Sequence, residues 1–127
     1  MNREIKLRYI HKSKSDGYIA VDYWTLEEII GGALETFDNE HWELLSRDEY
    51  IGLKDKNGVE IYEGDIVKYE TAITKPQTSF ERKGEIKWFS IGGCFRVFYN
   101  QIYHELFYKH IEVIGNQFEN PELLKGN

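Results

Sequence analysis

The sequence predicts a mainly β protein, β-rich α+β in class, with a small antiparallel barrel and an N-terminal strand and short-helix subdomain. Three observations carry this. Polar/apolar alternation recurs in short runs, as in Glu4-Ile5-Lys6-Leu7-Arg8-Tyr9 and Val59-Glu60-Ile61-Tyr62, which is the period of a half-buried strand. Glycine turns punctuate the runs at Asn57-Gly58, Glu63-Gly64-Asp65 and Gly92-Gly93. Nine Tyr, seven Phe and three Trp load the chain with rings that favour a pleated surface.

Taken in order, Glu4 to Ile10 is a strand, Lys12 to Gly17 a polar turn, and Tyr18 to Trp24 its hairpin partner. Thr25-Leu26-Glu27-Glu28 has the form of a capping box, with Thr25 as N-cap and Glu28 reaching back. Leu26, Ile29 and Ile30 would share one face of that helix, and Gly31-Gly32 stops it. Asp38-Asn39 marks a turn. Trp42 to Tyr50 fits either an extended segment or a short helix. Asp55-Lys56-Asn57-Gly58 joins Ile51-Gly52-Leu53 to Val59-Tyr62, because Asn-Gly tolerates the positive φ of a tight hairpin.

Ile66 to Tyr69 is the next strand. Thr74 to Lys83 reads as a loop, where Pro76 excludes a central strand. Gly84 to Phe89 and Cys94 to Tyr99 are strands around the Gly92-Gly93 turn, and His110 to Ile114 is the last. Gln101 to Lys109 reads as a helical turn or irregular chain. Asn120-Pro121 suggests an N-cap with Pro at the first position of a short helix, PELL. Gly64-Asp65-Ile66-Val67 followed by Gly84-Glu85-Ile86 is similar to the opening of SH3-like barrels. The domain division expected is 1–50, the strand hairpin plus an acidic short-helix segment, and 51–127, the barrel with its C-terminal helix.

Several blocks resemble the YopX family of phage and prophage proteins. They are GLKDKNGVEIYEGDIV, Arg3-Glu4-Ile5-Lys6, Gly84 to Phe95, Glu112-Val113-Ile114-Gly115-Asn116 and Glu119-Asn120-Pro121-Glu122-Leu123-Leu124. Residues 11–50 stand apart from these blocks as the chain's own elaboration. The resemblance implies a phage-encoded accessory protein that self-associates. It brings no catalytic residues.

The net charge of −6 is unevenly spread. Residues 1–20 carry +3, residues 21–50 carry −8 and residues 64–99 carry +2. An acidic total argues against a general nucleic-acid surface, but the segregation would steer unlike faces of two copies together. One Cys allows no internal disulfide, which fits a reducing compartment. No signal-peptide core and no membrane-length apolar run is present. The expected location is therefore the cytoplasm of a bacterial host.

Chemistry-bearing constellations are sparse. His11, His41, His104 and His110 show no HxxxH or HExxH spacing, and His110 with Glu112 makes at most a pair, too few ligands for zinc. Cys94 reads as a small buried thiol. Asp55, Glu60, Glu63 and Asp65 cluster at two turns. The turn set itself is Asp55, Asn57, Gly58, Gly64 and Asp65. Solvated carboxylates bonding local amides account for it; a divalent-cation or acid–base site is the sharper alternative. No Walker loop or GxGxxG is present.

These absences predict a protein that is not an enzyme and takes no cofactor or metal. Lys75, Arg82, Lys83 and Lys87 around Phe80 and Trp88 could hold a single strand by charge and stacking, or be a basic loop beside a core Trp. The acidic run reads either as a solvated subdomain face with its own small core or as an interaction surface of Trp24, Trp42, Glu27, Glu28, Glu35 and Glu43 for a host or phage protein. The function expected is a non-enzymatic, self-associating interaction protein. A weak nucleic-acid-binding β-barrel module and an enzyme of unassigned activity are the alternatives.

Overall fold

A computed structural model of the chain describes residues 5–70, 81–99, 101–104 and 110–124. Its described residues form two antiparallel sheets with little helix, so the class is mainly β. The chain divides into two compact units, residues 1–52 and 53–127.

In the first unit β1 (Lys6–Ser13) and β2 (Ile19–Thr25) form the expected hairpin, with Ile10 opposite Val21. Its turn is closed by the Ser13 N–H donating to the Tyr18 carbonyl at 2.8 Å. The Asp16 carboxylate accepts the Tyr18 N–H. Alternation predicted one covered face for β1, yet Arg8, Tyr9, Ile10 and His11 are all buried. Four consecutive buried residues mean that both faces are covered.

The capping box is formed as expected: Thr25 Oγ1 accepts the Glu28 N–H and the Glu28 carboxylate accepts the Thr25 N–H. It starts α1 (Leu26–Ile30), which ends at Gly31. None of its residues is buried, and Ile30 is 77% exposed. The apolar face expected of Leu26, Ile29 and Ile30 therefore enters no core. Five residues are too few to hold a helix unaided; the cap and the Leu26 N–H bonded to the Ile5 carbonyl fasten it.

A 3-10 turn follows at Ala33–Thr36. The ambiguous segment is a strand, β3 (Trp42–Lys54), paired with β1 so that Leu7 faces Glu49 and Ser13 faces Trp42. The register shifts between Ile10 and His11, which leaves Leu45 as the bulged residue. β3 runs past the division into the Asp55 turn and β4 (Glu60–Tyr62), giving the order β2-β1-β3-β4.

The second sheet contains β5 (Asp65–Glu70), β6 (Glu81–Phe89), β7 (Cys94–Tyr99), β8 (Ile102–His104) and β9 (Ile111–Asn116), in the order β8-β7-β6-β5-β9. The SH3-like barrel is not what these strands make. β5 to β8 spread outward as successive neighbours and β9 returns to the free side of β5. Among the described residues β8 and β9 remain as two separate margins. The two glycine-led segments that suggested closure lie side by side, Ile66 opposite Glu85 and Val67 opposite Gly84.

Part of the expected loop Thr74–Lys83 is strand, since β6 already includes residues 81–83; residues 74–80 lie outside the described residues. β8 likewise replaces irregular chain at 102–104, and residues 105–109 lie outside. The terminal PELL segment is a 3-10 turn, Pro121–Leu124. Asn120 stands directly before it: its carbonyl accepts the Leu123 N–H at 3.1 Å, and its side-chain oxygen accepts the Asn116 N–H at 3.3 Å.

Core positions of this unit include Ile61, Ile66, Val67, Ile86, Val97 and Ile111, each at most 2% exposed. Gly84 is required among them. A Cβ there would lie 2.6 Å from Val97 Cγ1 and 2.9 Å from the Phe98 carbonyl oxygen.

The turn before β4 is held by Asp55. Its backbone N–H bonds the Val59 carbonyl and its carbonyl accepts the Gly58 N–H. One carboxylate oxygen accepts from the amides of Asn57 and Val59 at 2.8 and 2.9 Å. The other accepts the Val113 N–H of β9 at 2.9 Å. Asp65 similarly accepts the Tyr62 N–H at 2.8 Å. Both aspartates are buried, at 6% and 2% exposure. Both bond local amides as expected, but they are buried rather than solvated.

Gly58 sits at φ +82 and nothing lies within 4 Å of where its Cβ would be. A side chain there meets only backbone strain, so Gly58→Val should cost on the order of 1 kcal/mol or more. Asp55→Ala strips three amides of their acceptor and should cost more, about 3 kcal/mol. Urea unfolding of the two variants beside the parent chain checks the order; equal costs would mean that Asp55 does not organise the turn.

Candidate functional site

The pleat divides the sequence's basic and aromatic set. In β6, Arg82, Gly84, Ile86 and Trp88 alternate with Lys83, Glu85, Lys87 and Phe89. The first series shares the core face with Val67 and Val97, its partners in register. The second series lies on the opposite face. Lys83 and Lys87 therefore part from Arg82 and Trp88, while Lys75 and Phe80 lie outside the described residues.

Residues far along the chain complete that opposite face. Register places Lys87 directly opposite Arg96, Glu85 opposite Phe98 and Phe98 opposite Tyr103. Lys87 Nζ lies 4.4 Å from the Phe98 ring centroid, and the Arg96 guanidinium carbon 4.8 Å from that of Phe89. The Tyr103 ring stands between them, 5.0 Å from Phe89 and 4.9 Å from Phe98. Two like charges opposite one another destabilise a sheet. The two rings offset this by attracting the cations, at about 0.5–1 kcal/mol each when exposed. Among the described residues no carboxylate pairs with either cation. Sequence reasoning missed Arg96, Phe89, Phe98 and Tyr103; the strand partners of Lys87 were the signal that would have found them.

The core face carries a second group toward its β8 side. The rings of Tyr69, Tyr99 and His104 lie 6.0–6.3 Å apart. The Tyr69 hydroxyl and His104 Nε2 are enclosed without hydrogen-bond partners. Burial, and then Tyr99, push the Tyr69 phenol up to about 12, against the pull of Arg82. Further along this face Trp88 is 48% exposed and stands edge-on to Phe95, with centroids 5.0 Å apart. Ile102 on β8 is 56% exposed, and Ile91 in the β6–β7 turn 90%.

In the first unit Tyr9, His11, Trp24, Phe37 and Trp42 form one ring cluster. Phe37 is its centre: it stacks on His11 at 4.1 Å and 5° and meets Trp42 at 5.0 Å and Trp24 at 6.0 Å. Trp24 and Trp42, two of the expected surface residues, are thus half-buried parts of a small core. Glu27, Glu28, Glu35 and Glu43 are exposed, with Glu28 engaged in the capping box.

His11 Nδ1 and one oxygen of Asp22 are enclosed without partners. Burial holds the His11 imidazole below its ordinary range, against the attraction of Asp22. Elsewhere in this unit Arg8 Nε and Nη2 both lie 2.8 Å from Asp48 Oδ2, and both residues are buried. Ser46 donates to the other Asp48 oxygen.

Asp38, Glu40 and His41 bring their ligand atoms within 4.8 Å of one another, all exposed and within one turn. The Asp38 carboxylate already accepts the His41 N–H and lies 2.8 Å from Nδ1, contacts that account for the arrangement without an ion. Cys94 heads β7 half-buried, rather than fully buried, and His110 is exposed.

The YopX protein family model matches residues 3–125. The match passes through residues 11–50, which the sequence blocks had set apart. No curated protein matches the chain. Among solved structures the chain is similar to the crystal structure of protein EF1440 from Enterococcus faecalis, at 31% identity over 92% of this chain and 75% of that one, with a TM-score of 0.45. No described helix is long and apolar enough to cross a membrane.

Two titrations follow from these environments. Unfolded, His11 takes its proton near 6.5; folded, it does so only at lower pH. The unfolded state binds more protons in that window, so stability falls as pH drops from 6.5 toward the folded value. His11→Phe should flatten this acid limb of a thermal-midpoint profile. Tyr69 acts at the other end. Its folded value of about 12 against 10.0 means that stability falls as pH rises from 10 to about 12. Tyr69→Phe should remove that loss with little cost at neutral pH. An unchanged profile in either variant would assign the slope to other groups.

Proposed function

The chain belongs to the YopX protein family, and from that premise we propose that it is a phage or prophage accessory protein whose role is non-enzymatic and whose first partner is a second copy of itself. The observation that carries this reading is the exposed apolar side chains on the second unit's core face and in the β6–β7 turn. Trp88 and Ile102 are about half exposed there, and Ile91 almost wholly so. Exposed apolar side chains on a sheet face are candidates for contacts with another chain. β8 beside it is the outermost strand, with no neighbour on its outer side among the described residues. An unpaired margin is a template for another chain. A two-fold contact in which two copies set β8 and the Trp88 surface together would cover both features and close upon itself.

The exposed Glu27, Glu35 and Glu43 of the first unit offer a different, charge-steered contact. Salt separates the two, because surface charge is screened while apolar burial is not. Light scattering at micromolar protein should give a mass above the monomer at low and at moderate salt. Trp88→Glu or Ile102→Lys should return it to the monomer with the β-sheet circular dichroism intact. A monomeric parent chain under both conditions overturns the reading. A mass that falls with salt moves the contact to the acidic segment.

A further inference from the structure

We propose that the face of the second sheet that carries Lys87 and Arg96 binds single-stranded nucleic acid, with these two residues taking its phosphates and Phe98 and Tyr103 lying under its bases. The proposal uses the face opposite Trp88; Tyr103 lies on β8, the strand that self-association would pair, with its ring on this face.

The first support is electrostatic. Lys87 and Arg96 are direct cross-strand partners, and neither has a carboxylate within ion-pair distance among the described residues. Glu112, on the same face, is already 3.6 Å from Lys68 and 4.0 Å from Lys56. Glu85 is the carboxylate nearest in register, beside Phe98 rather than opposite a cation. A like-charged pair without a counter-charge is unfavourable until an anion lies between its members.

The second support is the rings. Phe89, Phe98 and Tyr103 flank the cation pair on β6, β7 and β8, so charge and flat apolar surface alternate across three strands. A peptide carboxylate needs only the charge. A nucleic-acid strand offers a phosphate and a flat base in every repeat, which fits both. The open sheet selects the form of the ligand as well: bases reach a flat protein surface only when they are unpaired, as they do on other sheets that read single strands through stacked aromatics. The phosphates displace nothing covalent; Lys87 and Arg96 swing from their own rings to the backbone, which frees Phe98 for a base.

The net charge of −6 sets the scale. Two phosphate contacts on an acidic protein give a weak, strongly salt-dependent complex. The test uses the full chain and fluorescein-labelled oligothymidylate of about 12 nucleotides, within the span one such surface covers. Anisotropy at low salt should show binding, with a log–log salt slope near −1.4 for two phosphates, about −0.7 each. A duplex of the same length should bind less.

Lys87→Gln with Arg96→Gln should abolish binding. Tyr103→Ala should weaken it about tenfold without changing the slope. Trp88→Glu, on the other face, should leave it intact. Absence of binding by the parent chain, equal binding of the duplex, or binding indifferent to both Lys87→Gln/Arg96→Gln and Tyr103→Ala would overturn the proposal. So would preference for a labelled peptide of residues 21–50, which would assign the face to the acidic segment of another copy.

Discussion

The second unit depends on one carboxylate. Asp55 takes two amides of its own turn and the Val113 amide of β9, 58 residues further along. Turn and strand are thereby fixed to the same two oxygens. Lys56 adds a parallel bond from its N–H to the Ile111 carbonyl. The same device recurs where β5 and β9 meet. Asp65 stands opposite Asn116; the first accepts the Tyr62 amide, and the second accepts those of Phe118 and Glu119. Three buried side-chain acceptors thus gather the connections at the β5–β9 end. A side-chain oxygen suits this work, since it accepts from an amide and can serve two at once.

The first unit rests on different physics. Its buried polar pair, Arg8 and Asp48, stands in register across β1 and β3, and Ser46 occupies the remaining carboxylate oxygen. Such a pair adds little net stability over an apolar one. Breaking it is costly, because the surviving charge is left buried. Its use here is registration: a one-residue slip of β3 would turn Asp48 to the other face. The bulge at Leu45 makes that constraint useful, since pairing on one side of the bulge does not dictate pairing on the other.

Local chemistry was legible. The Thr25 capping box, the Asn57-Gly58 turn, the first hairpin and the strands around Gly92-Gly93 all follow from residues within a few positions of one another. Closure was not. The glycine-led segments that suggested a barrel are neighbours in an open sheet, and no local signal states which strand lies beyond β9. Asp55 shows the same limit: its two turn bonds are readable from the sequence, its bond to Val113 is not. β8 was missed because a three-residue strand leaves no period to detect. In the first unit Trp24 and Trp42, both half-buried, gather around Phe37 as the small core that was one of the two readings of the acidic run.

The face that carries Lys87 and Arg96 was missed for a reason that also explains how it arises. Adjacent residues of a strand point to opposite sides, so a basic cluster in sequence is never one cluster on a sheet. Lys83 and Lys87 lost Arg82 and Trp88 to the core side and gained Arg96, Phe98 and Tyr103 from the neighbouring strands. Gly84 sharpens the division: it lets β7 and the Tyr69 ring close on the core side, where any Cβ would meet Val97. Packing on that side is dense as far as Ile86 and Val97 and runs out at Trp88 and Ile102. One strand, β6, therefore presents the half-exposed Trp88 on one face and, on the other, Lys87, which pairs with no carboxylate among the described residues. Opposite faces of a sheet share no side chains, so the Trp88 surface and the Lys87–Arg96 surface are separate features of the same strands.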